Sequence, residues 1–262
     1  MSLEMLVLFA FGLLWGSFLN VLIFRYNTGH SFVRGRSKCF SCESVLGFFE
    51  LVPLFSYFSQ RGKCLKCGSS VSPQYPLVEF LSGMIFVFTG EVFSPFLSVI
   101  HSTQFLFIVL IFSALLVISM YDFRHKIIPD FFVYGFILLS FFYKIFIYSQ
   151  FQEGDILTFL VPDVLSSFFA FLFFFSLWFL SKGKAMGFGD AKLAIGLGLF
   201  LGPLYAFLAV LYSFWMGAVV SIILLCAKRK SFTIKSEIPF GPFLVAGGAL
   251  VFFFDFNVFN FF

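Results

Sequence analysis

Charge is scarce in this chain of 262 residues: 17 Lys and Arg with 13 Asp and Glu make up only 11% of it. A soluble globular domain carries about 25% charged residues, so the composition cannot clothe an ordinary water-facing surface, and it is far too apolar for intrinsic disorder. Five cysteines in a chain of this length do not make a secreted disulfide scaffold. Short alternating strands, the mark of a transmembrane barrel, are missing, and so are the heptads of a coiled coil. There is no internal repeat, no low-complexity linker and no glycine loop of the Walker or dinucleotide type, which removes the usual signs of a nucleotide-driven machine.

What is present is apolar. Hydrophobic residues make up 60% of the chain, and the mean hydropathy is +1.02. At about 20 residues per membrane-spanning helix, eight spans would use roughly 160 residues. Apolar runs fall at 3–24, 76–93, 103–121, 128–148, 160–181, 190–202, 204–226 and 240–260. The fold class expected is therefore an all-α polytopic membrane protein with about eight transmembrane helices. The sixth run is short and glycine-rich, and only Gly202 and Pro203 separate it from the seventh, so the two are expected to form a hairpin. The first run is expected to remain as a span, because Glu4 rather than Lys or Arg precedes it and no small-residue cleavage site follows. The 48 phenylalanines are spread through every span without motif spacing and carry no functional reading.

One connection is long enough to fold by itself. The chain thus divides into a first helix over 1–24, a loop domain over 25–75 and an embedded domain over 76–262. Counting basic residues orients these parts. The odd-numbered runs are followed by Arg25, Arg34, Arg36, Lys38, Arg61, Lys63 and Lys66, then by Arg124 and Lys126, then Lys182, Lys184 and Lys192, then Lys228, Arg229, Lys230 and Lys235. Sixteen of the 17 basic residues would lie on one side, which the positive-inside rule makes the cytoplasm. Lys144 alone sits near the far end of run four and is expected to snorkel. The opposite connections hold Glu91, Glu153, Asp155 and Asp163 and no cation. The net charge of +4 then reports topology rather than a nucleic-acid partner.

The loop domain carries Cys39-Phe40-Ser41-Cys42 and Cys64-Leu65-Lys66-Cys67, two C-x-x-C knuckles with 21 residues between them. Each knuckle brings two thiolates to one metal, and two knuckles complete the closed tetrahedral set of structural zinc. A reducing cytosol disfavours the alternative of paired disulfides. Cys226, alone in an apolar run, reads as a small core residue.

Acids beside an apolar span need a reason, because burying a charge there is costly. Asp122 closes run three and Asp190 opens run six, 68 positions apart. They belong to different helices but the same expected membrane face, where two carboxylates could converge on one water. Aspartic proteolysis requires that arrangement: one carboxylate activates water while the other, protonated, polarises a carbonyl. Asp190 could instead cap a helix, and Asp122 could pair with Lys126 or Arg124. Against the bland readings, an acid at a helix C-terminus sits at the unfavourable end of the dipole. Gly187 and Gly189 flank Phe188 and admit close backbone approach, which suits an extended substrate strand. Glu79, near the start of run two, is a candidate third carboxylate that would join Gly187 and Gly189 in binding substrate, and could instead be an anchor for the loop or a snorkelling acid. Asp130, following Pro129, reads as a cap of run four.

Taken in order, these motifs resemble the type IV prepilin peptidases, bacterial inner-membrane aspartic proteases of the GxGD class. The resemblance covers nearly the whole chain: Gly16-Ser17-Phe18-Leu19-Asn20-Val21-Leu22-Ile23; the two knuckles; Arg61-Gly62-Lys63-Cys64 leading to Tyr75-Pro76-Leu77-Val78-Glu79; Asp122 to Asp130; Gly187-Phe188-Gly189-Asp190-Ala191-Lys192-Leu193; and Ile238-Pro239-Phe240-Gly241-Pro242-Phe243. It implies that Asp122 and Asp190 are the catalytic pair and that Cys39, Cys42, Cys64 and Cys67 hold zinc. It implies cleavage of a basic leader after a Gly in prepilins and pseudopilins at the cytoplasmic membrane face. It also implies methylation of the new N-terminus with S-adenosylmethionine, an activity for which the residues themselves show no cofactor loop. Two other classes compete on the residues alone. One is a cation transporter using the same carboxylates, which would call for inverted repeats. The other is a non-enzymatic platform subunit of a pilus or secretion machine. Nothing in the sequence fixes an oligomeric state.

Overall fold

The computed structural model describes residues 2–29, 31–32, 35–95, 98–151, 155–184, 186–226 and 238–255, and every apolar run within them is helical. The described chain contains α1 (Leu3–Arg25), a 3-10 turn (Phe49–Leu51), α2 (Phe55–Ser59), α3 (Gln74–Val92), α4 (Val99–His125), α5 (Asp130–Phe151), α6 (Ile156–Leu180), α7 (Phe188–Leu201), α8 (Pro203–Cys226) and α9 (Gly241–Leu250), the last continued by a π turn (Val251–Asp255). Arg34, Glu153, Lys228, Arg229, Lys230, Lys235 and the end of the eighth run lie outside the described residues.

The expected eight spans become six among the described residues: α1, α3, α4, α5, α6 and α8 are long and apolar enough to cross a bilayer. At 1.5 Å per residue the 14 residues of α7 reach about 21 Å, short of a hydrocarbon core of about 30 Å; the eighth run is helical from Gly241 to Asp255, and its remainder lies outside the described residues. Gly202, at φ +78°, ends α7 and leads straight into Pro203, the first residue of α8, as the expected hairpin requires.

The chain forms two compact units, 1–109 and 110–262. In the first, α1 and α3 pack backbone to backbone. A Cβ on Gly12 would lie 2.7 Å from Gly83 Cα, and one on Gly16 would lie 2.7 Å from Glu79 Cα. Small residues one turn apart thus let two apolar helices touch where Leu would hold them apart. Asn20 Nδ2 donates to Tyr75 O at 3.1 Å, and Phe24 stacks on Tyr75 at 4.5 Å, tying the end of α1 to the start of α3.

In the second unit, Ile111, Leu115 and Ile118 form a fully buried stripe along α4 at helical spacing. Phe112 packs edge-on or tilted against Phe200, Phe252 and Phe253. α6 starts at Ile156, earlier than the apolar run suggested, and continues through Pro162. Asp163 therefore lies inside a helix rather than in a connection. Lys144 of α5 does not snorkel: its Nζ stands 2.9 Å from Asp163 Oδ2 in a nearly buried ion pair.

Candidate active site

The second unit brings the two aspartates predicted from sequence into one buried place. Asp122 occupies the last turn of α4 and Asp190 the first turn of α7, and each is 5% exposed. The Asp122 carboxylate acts electrostatically on Asp190. Each acid is met by a glycine backbone at the start of a short helix. Gly241 N–H, where α9 begins, donates to Asp122 Oδ2 at 3.1 Å, and the Gly187 N–H, at the N-cap of α7, serves Asp190. Asp190 Oδ1 is buried with no hydrogen-bond partner among the described residues.

The walls come from the connection that follows α4. Lys126, at φ +55°, ends the helix and returns its N–H to Asp122 O at 2.7 Å. The extended residues that follow bring Ile128 between the two glycine-bearing helix starts. A Cβ on Gly189 would lie 2.8 Å from Ile128 Cβ, and one on Gly241 would lie 3.3 Å from Ile128 Cδ1 and 2.6 Å from Asp122 Oδ2. Gly189 is thus closed over by Ile128, whereas Gly187 stands beside Asp190, its ideal Cβ position 3.5 Å from Oδ2. Outside this ring, Lys192 Nζ meets Asp130 Oδ1 at 2.7 Å and lies 5.2 Å from the Phe188 ring centroid. Asp130, read from sequence as a cap, is the first residue of α5, and its carboxylate ties the start of that helix to α7. Ile128, the Gly241 donor and this ion pair were not assigned roles from the sequence.

Glu79 belongs to the first unit. It is buried, and its Oε2 accepts the Leu54 N–H at 2.8 Å, where the chain turns through φ +59° into α2. That is the arrangement of a loop anchor.

The knuckles repeat one design 25 residues apart, too short a similarity to stand out as an internal repeat of the chain. Lys38-Cys39-Phe40-Ser41-Cys42-Glu43-Ser44 matches Lys63-Cys64-Leu65-Lys66-Cys67-Gly68-Ser69. Each closes with an isolated bridge, Lys38 to Val45 and Lys63 to Ser70. In each the first Cys N–H donates to a Ser carbonyl, Ser44 at 3.0 Å and Ser69 at 2.8 Å. The turn takes a positive φ at Glu43 and Gly68. The four Sγ atoms lie within 4.8 Å of one another, with Cys39 and Cys67 at 3.8 Å. Tetrahedral zinc with bonds of about 2.3 Å spaces its sulfurs by roughly 3.8 Å, so the donor set and its geometry fit a closed metal site. Backbone N–H groups of Cys42 and Ser41, then the Ser69 hydroxyl, hold the Cys39 thiol down to about 6. No cysteine is in a disulfide.

Comparison with known proteins follows this architecture. Residues 10–93 match the bacterial peptidase A24 N-terminal domain, and residues 108–222 match the type IV leader peptidase family. A prepilin leader peptidase/N-methyltransferase of Myxococcus xanthus is 32% identical over 228 residues, covering 86% of this chain and 64% of the relative. The chain thus spans just under two thirds of that protein. A type 4 prepilin-like proteins leader peptide-processing enzyme of Escherichia coli is 29% identical, covering 90% and 89%. A prepilin leader peptidase/N-methyltransferase of Bacillus subtilis is 27% identical, covering 98% and 96%. No solved structure matches the chain.

Proposed function

The chain belongs to the type IV leader peptidase family, and from that premise we propose that it cleaves the basic leader from prepilins and pseudopilins after a Gly, with Asp122 and Asp190 as the catalytic pair. The observation that carries this reading is the convergence of two carboxylates from α4 and α7 in one buried place, each with a glycine N–H to hold it. Together they carry one proton. The ionised carboxylate takes a proton from water as its oxygen bonds the scissile carbonyl carbon, and the protonated one gives its proton to the carbonyl oxygen. The tetrahedral diol then collapses: a diol hydroxyl returns its proton to a carboxylate, the carbon–nitrogen bond breaks, and the departing amine takes a proton from the pair. Asp190 Oδ1, buried and unpartnered, is the oxygen placed for water or the carbonyl. Gly187 and Gly189 give an extended substrate backbone room at the start of α7 once Ile128 moves aside.

Cys39, Cys42, Cys64 and Cys67 hold zinc as a structural ion, since four thiolates leave no coordination position open. The second activity is N-methylation of the amine that cleavage exposes, with S-adenosylmethionine as methyl donor. Among the described residues there is no glycine-rich strand-to-helix loop to cradle an adenosyl group, and no residue is assigned to it. The basic connections support placement in a bacterial inner membrane, with the cysteine domain and the aspartates toward the cytoplasm.

The test is incubation of the purified full-length protein in lipid nanodiscs with a peptide carrying a basic leader, a Gly-Phe junction and an apolar tail. Mass spectrometry reports the cut and any added methyl group. Asp122→Asn and Asp190→Asn should each reduce cleavage by about 10³-fold or more while the protein still inserts. Cleavage that persists in either variant would remove the aspartic mechanism and favour a platform or transport role.

A further inference from the structure

The loop domain exposes side chains that a water-facing domain of its size does not. Phe40, Phe48, Phe49, Phe55, Phe58 and Leu65 are each between 63% and 80% exposed, all within one stretch of 26 residues. Single exposed apolar residues are ordinary; a group of large ones marks an interaction surface. They are organised. Phe48 and Phe49 pack edge to face at 5.8 Å, and Phe55 and Phe58 lie three apart on α2, hence on one side of it. Phe40 and Leu65 occupy the same position in the two knuckles, directly after the first cysteine.

Charge and depth say what covers them. Arg36, Lys38, Arg61, Lys63 and Lys66 are all exposed, against Glu43 as the one fully exposed acid among the described residues of the domain; Glu50 is half-buried and accepts the Gly47 N–H. A surface that is aromatic and cationic together matches the headgroup region of an anionic bilayer. It repels a basic leader peptide. The Phe40 ring lies 5.9 Å from Phe24, the next-to-last residue of α1, and Phe24 stacks on Tyr75 at the start of α3. The first knuckle therefore sits at the level where both spans leave the membrane, the level aromatic residues favour.

We propose that the cysteine domain lies on the bilayer, with its exposed aromatic and leucine side chains inserted at the headgroup–acyl boundary and its exposed lysines and arginines against anionic lipid phosphates. The reading does not depend on the peptidase assignment. Its test uses full-length protein in nanodiscs, zwitterionic or with about 30% phosphatidylglycerol, carrying photoreactive benzoylphenylalanine at position 48 or 58 and, as control, at the exposed polar position of Ser70. Zinc content verifies that each variant is folded. After illumination, intact mass should show phospholipid adducts at 48 and 58 about fivefold above the control. These should rise with the anionic lipid and fall in about 0.5 M salt. Arg36→Glu with Arg61→Glu should lower the adducts in anionic discs but not in zwitterionic ones. Adducts no higher than at Ser70 would overturn the proposal. So would crosslinks from 48 and 58 to another part of the chain or to a second copy, and so would indifference of the adducts to lipid charge.

Discussion

Gly241→Ala isolates the geometry of the aspartate pair from the stability of the fold. The added methyl carbon would sit 2.6 Å from Asp122 Oδ2 and 3.3 Å from Asp122 Cγ. An ordinary contact starts near 3.4 Å, so the carboxylate must yield by about 0.8 Å. What moves is the tip of a side chain, which swings at little cost to folding; Ala at the first position of α9 gains little helix propensity, because Pro242 follows it and disfavours the α region for a residue with a Cβ. The chemistry should suffer instead. A misplacement near 1 Å costs about 10²-fold in rate, and moving off the Gly241 N–H forfeits a hydrogen bond to a charged group worth about 1.5–3 kcal/mol. The two losses overlap, so kcat should fall about 10²-fold, with KM changed by less than about threefold. Gly217→Ala is the matched control, because its Cβ would meet nothing closer than 3.7 Å, at Phe243. The assay is peptide cleavage by full-length protein in nanodiscs, with thermal unfolding measured on the same samples. A Gly241→Ala enzyme that keeps more than about a third of wild-type kcat, or loses activity only as it loses stability, would refute the reasoning, which requires a transition-state effect.

Two further outcomes follow from the same structure. After metal removal, alkylation of Cys39 should rise steeply between about pH 5 and 7 with a midpoint near 6, because its thiol is held down and the thiolate is the nucleophile. Peptide mapping by mass spectrometry reads this, restored zinc should protect all four cysteines, and a midpoint above pH 8 would contradict the hydrogen-bonded knuckle. Lys144→Met leaves the Asp163 carboxylate buried without its cation, which should cost about 3 kcal/mol and lower the thermal midpoint by roughly 10 °C; Lys144→Met with Asp163→Leu should recover most of it, and a single variant as stable as wild type would show the pair to be solvated.

The parts of this protein that were legible in its sequence are those whose physics is local or compositional. The knuckles declare themselves because both ligands of each pair lie within four residues, and Asp122 and Asp190 stand out because a carboxylate beside an apolar run demands a reason. Contacts made by residues without chemistry of their own were not legible. Ile128 looks like any other apolar residue, and only tertiary approach reveals that it closes over both Gly189 and Gly241. Lys144 and Asp163 were read from hydropathy as a snorkelling cation and a connection acid. Hydropathy averages over a window and cannot show that α6 starts at Ile156 and carries its acid to Lys144. The helix count of about eight is approximate for a related reason: six described helices are long and apolar enough to span, and a run of apolar residues measures burial, while spanning depends on helix length.

α7 and α9 both begin at the aspartate pair, and electrostatics gives a reason for placing helix starts there. Bringing two carboxylates into one buried place is opposed by their repulsion and by the loss of water, and α4 adds to the problem by presenting its negative C-terminal end at Asp122. Helix N-termini offset this, since each carries about half a positive charge and unbonded N–H groups. α7 and α9 each begin at the pair and direct one glycine N–H to one acid, Gly187 to Asp190 and Gly241 to Asp122. Glycine is needed at position 241 because a Cβ there would displace the acid that its N–H holds. A residue with a side chain there would have to exchange the donor for a clash. Each helix therefore starts where a positive end is needed, and burial along it, at Leu197 to Leu201 in α7 and at Leu244, Gly247 and Gly248 in α9, holds it there.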